Sequence, residues 1–423
     1  GMAASQISTI YRLFIVGSFF RKDHPLIAQR VRQSIKKGLK LSVLNPAFDD
    51  WHLSIENKIC LAPSEMVAGL ARVIKAVANE TNQKVACDFS DLCAQVSVDD
   101  ESLAVARSLA SGRRSAIWLG NYAVQHKNAA QIHALSQEIA RLLNSSFGVI
   151  GEAANSVGGY LAGAVPFGPI EGRNAAQMLS TPMKAYILAG VEPDLDIADG
   201  VSAVKSLREA EMVAALTVFK SQSLLDVADV LLPIAPFTET AGTFVNCEGR
   251  AQSFHPVTKS AGESRAGWKV LRVIGSALEL DGFDFGTIED VRNKVLGDSL
   301  VVDSRRLGNS LAIDKFALPE AVSGIQRIAD IPIYFADPIV RRSGPLQATR
   351  DADAPNARMS GTLISKLGLK PGDKVRIKSE AGEVTVVLIE DNAVAAGCLR
   401  LAGGHGDTMS LGGLHGEVSV ECA

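Results

Sequence analysis

Apolar stretches of strand length alternate with amphipathic helical segments along the first part of the chain. Residues 11–16 and 39–44 are apolar, and between them Ile27, Val31 and Ile35 have the spacing of the buried side of a helix. A strand, a helix and a second strand in this order form a βαβ unit, whose strands are parallel. The pattern therefore predicts an α/β fold, and such sheets bind ligands at the carboxyl ends of their strands.

The same alternation returns further along the chain and then gives way to shorter strands. Residues 115–119, 185–188 and 214–219 are further apolar strands. Nearer the C-terminus, Val375 and Ile377 alternate with basic residues, which is typical of a half-buried sheet.

Changes in this pattern predict four segments. Residues 1–110 and 111–290 are α/β regions with parallel sheets, residues 291–330 are a connecting segment with a short helix, and residues 331–423 form a C-terminal β region. A chain of 423 residues is too long for one hydrophobic core, which agrees with this division.

The stretch 227–252 combines an apolar strand with a polar cluster. Its sequence is VADVLLPIAPFTETAGTFVNCEGRAQ. At strand spacing, Asn246, Glu248 and Arg250 point to one face. Two interpretations remain open: an internal ion pair with hydrogen bonds that fixes a loop, or a site for a polar ligand. We expect Arg250 to be buried and to bind a carboxylate, with Glu248 and Glu239 as the first candidates.

Composition and charge exclude several classes of protein and several kinds of site. The net charge of −3 gives no basic footprint for nucleic acid, and no apolar run approaches the ~20 residues of a membrane span. The cysteines are not clustered, so they predict buried thiols in a reducing compartment, without an iron–sulphur cluster or zinc site in this chain. No catalytic residue and no metal ligand is assigned. Gly1 before Met2 is typical of a remnant of tag cleavage, which leaves open where the natural chain begins.

The stretch 227–252 also resembles a known family. The segments ADVLLP and GTFVNCEGRAQ resemble those of molybdopterin oxidoreductases, and the form with Asn246, Glu248 and Arg250 most resembles the G subunit family of bacterial NADH–quinone oxidoreductase, respiratory complex I. Nearer the C-terminus, SKLGLKPGDKVRIKSEAGEV resembles the six-stranded barrel of the same family. The resemblance implies two Rossmann-like α/β regions followed by a C-terminal β-barrel of the molybdopterin-dinucleotide-binding type.

The resemblance also implies which residues would line a molybdopterin dinucleotide if the chain retained one. These residues are Gly17, Ser18, Asn45, Gly190, Gly242, Thr243, Asn246 and Arg250. The sequence departs from the family at three nearby positions: Phe19 and Glu192 stand where Asn is usual, and Ala47 stands where Arg is usual. The family's late asparagine is also missing from the segment 405–413. These changes remove polar groups or add a charge that would repel a pyrophosphate, so we expect that molybdopterin is not bound.

The resemblance supports a first hypothesis, that the chain is the C-terminal part of the G subunit of complex I. It would then be a former cofactor scaffold that acts structurally in electron transfer from NADH to quinone. This hypothesis implies iron–sulphur clusters upstream of the chain, other subunits of respiratory complex I as partners, and a cytoplasmic location peripheral to the inner membrane without direct membrane insertion. The second hypothesis is the C-terminal part of a working molybdopterin oxidoreductase such as a formate dehydrogenase. The third is a free-standing scaffold protein without a redox partner.

Overall fold

The computed structural model describes residues 1–112, 114–166, 172–298, 300–313, 317–320 and 322–423. Its first part is an α/β region around a five-stranded sheet. The elements of this part are, in chain order, β1 (Arg12–Val16), α1 (Phe20–Asp23), α2 (Pro25–Ile35), β2 (Lys40–Asn45), β3 (Asn57–Cys60), α3 (Met66–Thr81), α4 (Cys87–Ala94), α5 (Asp100–Ala110), β4 (Ser115–Leu119), α6 (Asn121–Gln125), α7 (Ala129–Leu142) and β5 (Ser146–Val149).

The five strands are parallel and lie in the order β3-β2-β1-β4-β5. Strands β1, β2 and β4 are buried along almost their whole length, because hydrophobic clusters cover both faces of the sheet. The longest helix, α3, buries Leu70 and Ile74 in one of these clusters and ends at Asn82, whose φ of 52° closes the helix in the left-handed conformation.

Strand β4 lies in a different sheet from the one that the sequence pattern predicts. The pattern places residues 115–119 at the start of a second α/β region, whereas the structure pairs β4 in parallel with β1. The physical reason is that every residue of β4 is buried, and a parallel strand of this kind needs neighbours on both edges and cover on both faces.

The second part of the chain forms a smaller α/β region. Its sheet has three parallel strands in the order β6-β7-β8, and a two-stranded antiparallel hairpin of β9 and β10 follows. The elements are α8 (Ser156–Leu161), α9 (Ala175–Ser180), β6 (Ala185–Ala189), α10 (Gly200–Arg208), β7 (Met212–Thr217), α11 (Gln222–Leu225), β8 (Val230–Pro233), β9 (Gly242–Val245), β10 (Ala251–Phe254), α12 (Gly267–Ala277) and α13 (Ile288–Leu296).

The last part is a closed barrel of six strands in the order β11-β15-β12-β14-β13-β16. Val375 and Ile377 of β13 point into its core, as their alternation with basic residues predicts. The elements are β11 (Ile325–Ile328), α14 (Pro338–Arg341), α15 (Gly344–Gln347), β12 (Ala357–Met359), α16 (Gly361–Lys366), β13 (Lys374–Lys378), β14 (Glu383–Glu390), β15 (Cys398–Arg400) and β16 (Glu417–Cys422). Short 3-10 helices lie at Ala4–Thr9, Pro63–Glu65, Phe237–Glu239, Ser304–Leu307, Ile333–Phe335, Arg350–Ala352 and Met409–Leu411.

The architecture confirms the predicted fold class of parallel α/β regions followed by a C-terminal β-barrel. Strand β11 was not predicted, because it lies within the segment 291–330, which the sequence predicts to be a connection. Its first two residues pair with β16 and its last three with β15, so it closes the barrel. Among the described residues, no helix combines the length and the apolar character that crossing a membrane would require.

Candidate functional site

The order of strands in the first sheet reverses between β1 and β4, and open α/β sheets bind ligands at such a reversal. Gly17 follows β1 with a φ of 61°, and a Cβ there would lie 2.7 Å from the Cβ of Ala123. Gly120 follows β4 and approaches Ser18 so closely that a side chain would not fit. The two loops therefore contact each other directly, through residues that have little or no side chain at the point of contact.

Asn45 holds the loop after β1 in place from the end of β2. Its Oδ1 accepts the Ser18 N–H at 2.8 Å, and its Nδ2 donates to the carbonyl oxygens of Ser18 at 3.0 Å and Ala47 at 2.7 Å. Both Asn45 and Ser18 are fully buried. The structure therefore brings the predicted residues Gly17, Ser18 and Asn45 together, and the amide of Asn45 is already occupied by the protein itself.

Phe19 and Ala47, two of the departures from the family pattern, pack against the barrel. The Phe19 side chain is buried below the guanidinium of Arg400, which lies 4.3 Å from the ring centroid, and Tyr122 meets it edge-on. Ala47 is buried and forms an antiparallel backbone bridge with Val394 of the barrel. The loops after β1 and β2 thus hold contacts between the first α/β region and the barrel.

Arg400 joins these two parts through a buried ion network. Its guanidinium binds Asp49, from the loop after β2, and Asp330, from the segment after β11, with an Nη2–Oδ2 distance of 2.8 Å to Asp330. Burial alone would raise the pKa of Asp49, but Arg400 beside it holds that pKa below its usual value. Burial alone would lower the pKa of Arg400, but the two carboxylates together raise it.

Glu192, the third departure, forms a second buried network. Its Oε2 accepts from Nη2 of Arg341 at 2.8 Å, and its Oε1 accepts from Nη2 of Arg342 at 2.5 Å. Arg341 also binds Asp196 at 2.8 Å, and the Arg342 guanidinium lies 4.4 Å from the ring centroid of Phe219. Both arginines lie at the end of α14, so this network ties the loop after β6 to the segment that leads into the barrel.

The remaining predicted cofactor residues lie in the second region. Gly190 directly follows β6 and has a φ of 69°, which favours glycine. Gly242 lies on β9, where a Cβ would meet the Phe254 ring at 2.7 Å, and the Thr243 hydroxyl lies 2.9 Å from that of Ser253 across the hairpin. These residues shape the turn and the hairpin.

Asn246, Glu248 and Arg250 lie in the turn between β9 and β10, so the prediction that they share one strand face is wrong. The chain reverses here because Gly249 takes a φ of 80°. The Asn246 Oδ1 accepts the backbone N–H groups of Glu248 and Arg250, and the Arg250 Nε donates to Glu248 Oε1 at 3.1 Å. Glu248 also accepts the Ala4 N–H at 2.6 Å. The expected partner of Arg250 is confirmed, but its side chain is 63% exposed, so the expected burial is wrong.

The eight predicted residues therefore fall into three groups, at β1 and β2, at β6, and on the β9–β10 hairpin. Sequence reasoning missed Arg400 and Arg341, because their partners lie 351 and 149 positions away and no local pattern connects them. Cys93 and Cys398 are buried, whereas the other four cysteines are exposed, which corrects the expectation of buried thiols. In the described part of the chain, no group of three His, Cys, Asp or Glu residues is placed to hold a metal ion.

A cavity of about 140 Å³ lies at the strand reversal between the first sheet and the segment after β11. It contains none of the eight predicted residues. Its polar lining consists of Lys22, Asp23, Asn121, Tyr122, Gln125, Glu152 and Asp330. Burial raises the pKa of Asp23 to about 7; the Phe19 N–H opposes this rise, and the nearby Asp330 carboxylate adds to it.

The residues at the family's cofactor positions do not fit a molybdopterin dinucleotide. The side-chain amide of Asn45 is engaged within the protein, Phe19 and Ala47 are covered by the barrel, and the Glu192 carboxylate is paired with Arg341 and Arg342.

Comparison with known proteins agrees with this architecture. A sequence model of the family described as Molybdopterin oxidoreductase matches residues 10–277. The G subunit of NADH-quinone oxidoreductase from Mycobacterium bovis is 26% identical over 221 residues, which cover 51% of this chain and 27% of that protein. The alpha subunit of F420-dependent formate dehydrogenase 1 from Methanococcus maripaludis is 21% identical over 337 residues, which cover 67% of this chain and 50% of that protein.

The chain thus spans between about a quarter and a half of the length of these two relatives. Among solved structures, acetylene hydratase from Pelobacter acetylenicus shares the fold, with a TM-score of 0.70 and 14% identity over 98% of this chain and 78% of that one. Because the family's sequence model matches more than half of the chain, this protein belongs to the molybdopterin oxidoreductase family.

Proposed function

We propose that this chain is part of a peripheral-arm subunit of NADH–quinone oxidoreductase. On this proposal the scaffold has lost its molybdopterin and acts structurally in a complex that carries electrons from NADH to quinone. The similarity to the G subunit supports the complex, although fold and family alone do not determine function. The structural role is supported above all by the contacts of Phe19, Ala47 and Glu192. Each of these residues joins an α/β region to the C-terminal part.

One face of the second sheet is left uncovered by the described residues, and this face supports a role in subunit contact. Ile187, Ala214 and Val230 lie across from one another in register, so their side chains share one face. Ile187 and Val230 are exposed on this face, as is Met212 two residues before Ala214. Parallel sheets are normally covered on both faces, so an exposed apolar face fits a surface that other subunits cover.

Analysis of the bound cofactor tests the loss of molybdopterin. The protein is purified from its natural host under anaerobic conditions, and molybdenum, tungsten and the fluorescent pterin released by acid oxidation are measured. We expect amounts far below one per chain. A stoichiometric amount of pterin would overturn the proposal and favour the second function, a working molybdopterin oxidoreductase of the formate dehydrogenase kind, which the similarity to that enzyme makes the natural alternative.

Association with the respiratory complex tests the partners and the location. A tagged copy expressed in the natural host should sediment with the inner membrane and co-purify with NADH–quinone oxidoreductase activity, on the cytoplasmic side. Ile187→Asp should weaken this association, because a charge would enter the exposed apolar face. Val257→Asp is the matched control, since Val257 is exposed in a loop outside that sheet. Equal recovery of the activity with both variants would contradict this use of the face.

A further inference from the structure

Positive charge is concentrated at the start of the chain. Residues 1–48 contain eight Lys and Arg side chains and one carboxylate, Asp23, which gives this segment a formal net charge of +7. The whole chain has a net charge of −3, and subtracting +7 from it leaves −10 for residues 49–423. The first α/β region therefore begins with a strongly basic segment in a protein that is acidic elsewhere.

Half of these cations lie on helix α2 or directly after it. Arg30 and Arg32 are on the helix, Lys36 and Lys37 follow its last residue, and all four are exposed. They span about 10 Å along the helix axis. The opposite side of α2 belongs to the core, where Val31 is fully buried. The four cations, which together we call the basic face of α2, are therefore presented on a helix that the core holds in place.

None of the cations of the basic face has a carboxylate at salt-bridge distance in the part of the chain that the structure describes. No Asp or Glu occurs between residues 24 and 48. Two other cations of the basic segment do have partners, since Lys40 binds Glu56 at 2.5 Å and Lys22 binds Asp351 at 3.1 Å. The unpaired charge of the segment is therefore collected on the basic face of α2.

The stability of the helix explains only part of this arrangement. The helix dipole stabilises cations near the C-terminal end, which accounts for Lys36 and Lys37. It does not account for Arg32, which lies four residues before Lys36, so that the two like charges repel along the helix. The first turn contains no carboxylate, and Leu26, which is 81% exposed, takes the position from which a carboxylate would pair with Arg30. The surplus of cations therefore points to an anionic group outside this chain.

We propose that the basic face of α2 docks onto a carboxylate-rich surface of a partner subunit. This rests on the proposed function, which supplies the multi-subunit complex, and it names the chemistry of one contact in it. Carboxylates complement the charge of the face, and each arginine can bind one through two parallel hydrogen bonds. An anionic membrane fits less well, because the apolar side of α2 is buried and Leu26 is its one exposed large apolar side chain.

Cross-linking with a carbodiimide tests the contact directly, because the reagent joins a carboxyl group to a lysine amine without a spacer. A tagged copy of the natural protein is purified from its host together with NADH–quinone oxidoreductase and treated, and the linked peptides are identified by mass spectrometry. We expect Lys36 or Lys37 to be joined to an Asp or Glu of another subunit.

The possible failures of this experiment are distinguishable. Links from these lysines only to a second copy of this chain, or no link from them in a complex that has formed and is cross-linked elsewhere, would overturn this proposal alone. A protein that does not co-purify with the complex at all would overturn the proposed function, and this proposal with it.

Charge reversal locates the contact on α2. Lys36→Glu combined with Lys37→Glu should lower the NADH–quinone oxidoreductase activity that co-purifies with the protein at least about fivefold. Lys36→Gln combined with Lys37→Gln should cause a smaller loss at an unchanged melting temperature, because it adds no charge that opposes the helix dipole. Lys366→Glu combined with Lys370→Glu changes the charge equally at exposed positions outside the first region and should leave the recovery unchanged. Equal recovery with the basic-face variants and this control would overturn the proposal.

Lipid vesicles separate a protein partner from a membrane. The purified protein is sedimented at about 150 mM salt with vesicles of phosphatidylcholine, with or without about one third phosphatidylglycerol. We expect no more protein to sediment with the anionic vesicles than with the neutral ones. Sedimentation with the anionic vesicles alone, lost when Lys36→Glu and Lys37→Glu are combined, would overturn the proposal in favour of an anionic membrane.

Discussion

The two parallel sheets of this protein differ in how they are covered. The five-stranded sheet buries β1, β2 and β4 between two hydrophobic clusters, and Ile15 at its centre is fully buried. The three-stranded sheet buries one face against α10, but on the other face Ile187 is 52% exposed and Met212 is 47% exposed. Since parallel strands need apolar cover on both faces, the first region carries a complete core, whereas the second is incomplete within the described residues.

Each of the two α/β regions is attached to the C-terminal part by a buried ion network, and the two networks differ in how many arginines bind the carboxylates. Among the described residues, Arg400 is the only cation at salt-bridge distance from Asp49 and Asp330, so its loss leaves both carboxylates unpaired. At the second region, Glu192 binds two arginines, so the loss of Arg341 leaves Arg342 in place on Glu192 and removes the cation only from Asp196. The comparison predicts that the first region is the more stable part of the molecule. It also predicts that the attachment of this region to the barrel depends strongly on one side chain, Arg400.

The largest effect is expected for Arg400→Ala. Asp49 and Asp330 would stay in a buried place without a cation, which should lower the free energy of unfolding by about 3–5 kcal/mol. Urea unfolding followed by tryptophan fluorescence measures this change in the free energy of unfolding. In a Trp268→Phe background the signal reports on the first region, because the two remaining tryptophans both lie there. Arg341→Ala should cost less, about 1–3 kcal/mol, because Arg342 still binds Glu192 and only Asp196 loses its cation. A loss below about 1 kcal/mol for Arg400→Ala would contradict the importance of this network.

The next largest difference in stability is expected between an isoleucine-to-alanine substitution in the first sheet and one in the second sheet. Ile15→Ala removes buried methyl groups from the central strand of the first sheet and should cost about 2–5 kcal/mol. Ile187→Ala in the second sheet should cost less than about 0.5 kcal/mol in the isolated protein, because the side chain is exposed. In the natural complex, Ile187→Ala should instead weaken subunit association. Equal destabilisation of the isolated protein by both variants would mean that the second face is covered in solution.

The elements of the fold that were predicted correctly are those that a local hydrophobic pattern in the sequence specifies. The strand predicted over residues 115–119 has the bounds of β4, because an apolar run between polar ends marks a buried strand. The turn after β9 could not be predicted by strand spacing, since the positive φ of Gly249 reverses the chain inside the polar cluster. The pairing of Arg400 with Asp49 had no sequence signal, because packing of the barrel on the sheet creates it.

A smaller effect, with a distinct pH dependence, is expected at Asp23. Burial raises its pKa from 3.8 to about 7, the Phe19 N–H opposes the rise, and Asp330, Asp49 and Glu152 add to it. The folded state therefore retains a proton that the unfolded state releases, so this group reduces stability progressively as pH rises from 3.8 to about 7. Asp23→Asn should gain about 1–3 kcal/mol at about pH 8 and almost nothing at about pH 4.

Unfolding curves of the wild type and Asp23→Asn across this pH range check the expectation. Glu211→Gln, an exposed carboxylate, is the control and should show no such dependence. A gain that is equal at both ends of the range would exclude titration of Asp23 as its source.

The smallest effect is expected at Arg250, which has the same chemistry as Arg400 in the opposite environment. The Arg250 side chain is 63% exposed, whereas that of Arg400 is 8% exposed. Solvent screens the ion pair of Arg250 with Glu248, so Arg250→Ala should lower the free energy of unfolding by less than about 1 kcal/mol. The coupling energy in a double-mutant cycle with Glu248→Gln should also stay below about 1 kcal/mol. This coupling should decrease at high salt. Glu248→Gln alone should cost more than Arg250→Ala, because Glu248 also accepts the Ala4 N–H at 2.6 Å. A coupling well above about 1 kcal/mol would show that the turn is covered in solution, and the second region would then be more complete than its exposed residues indicate.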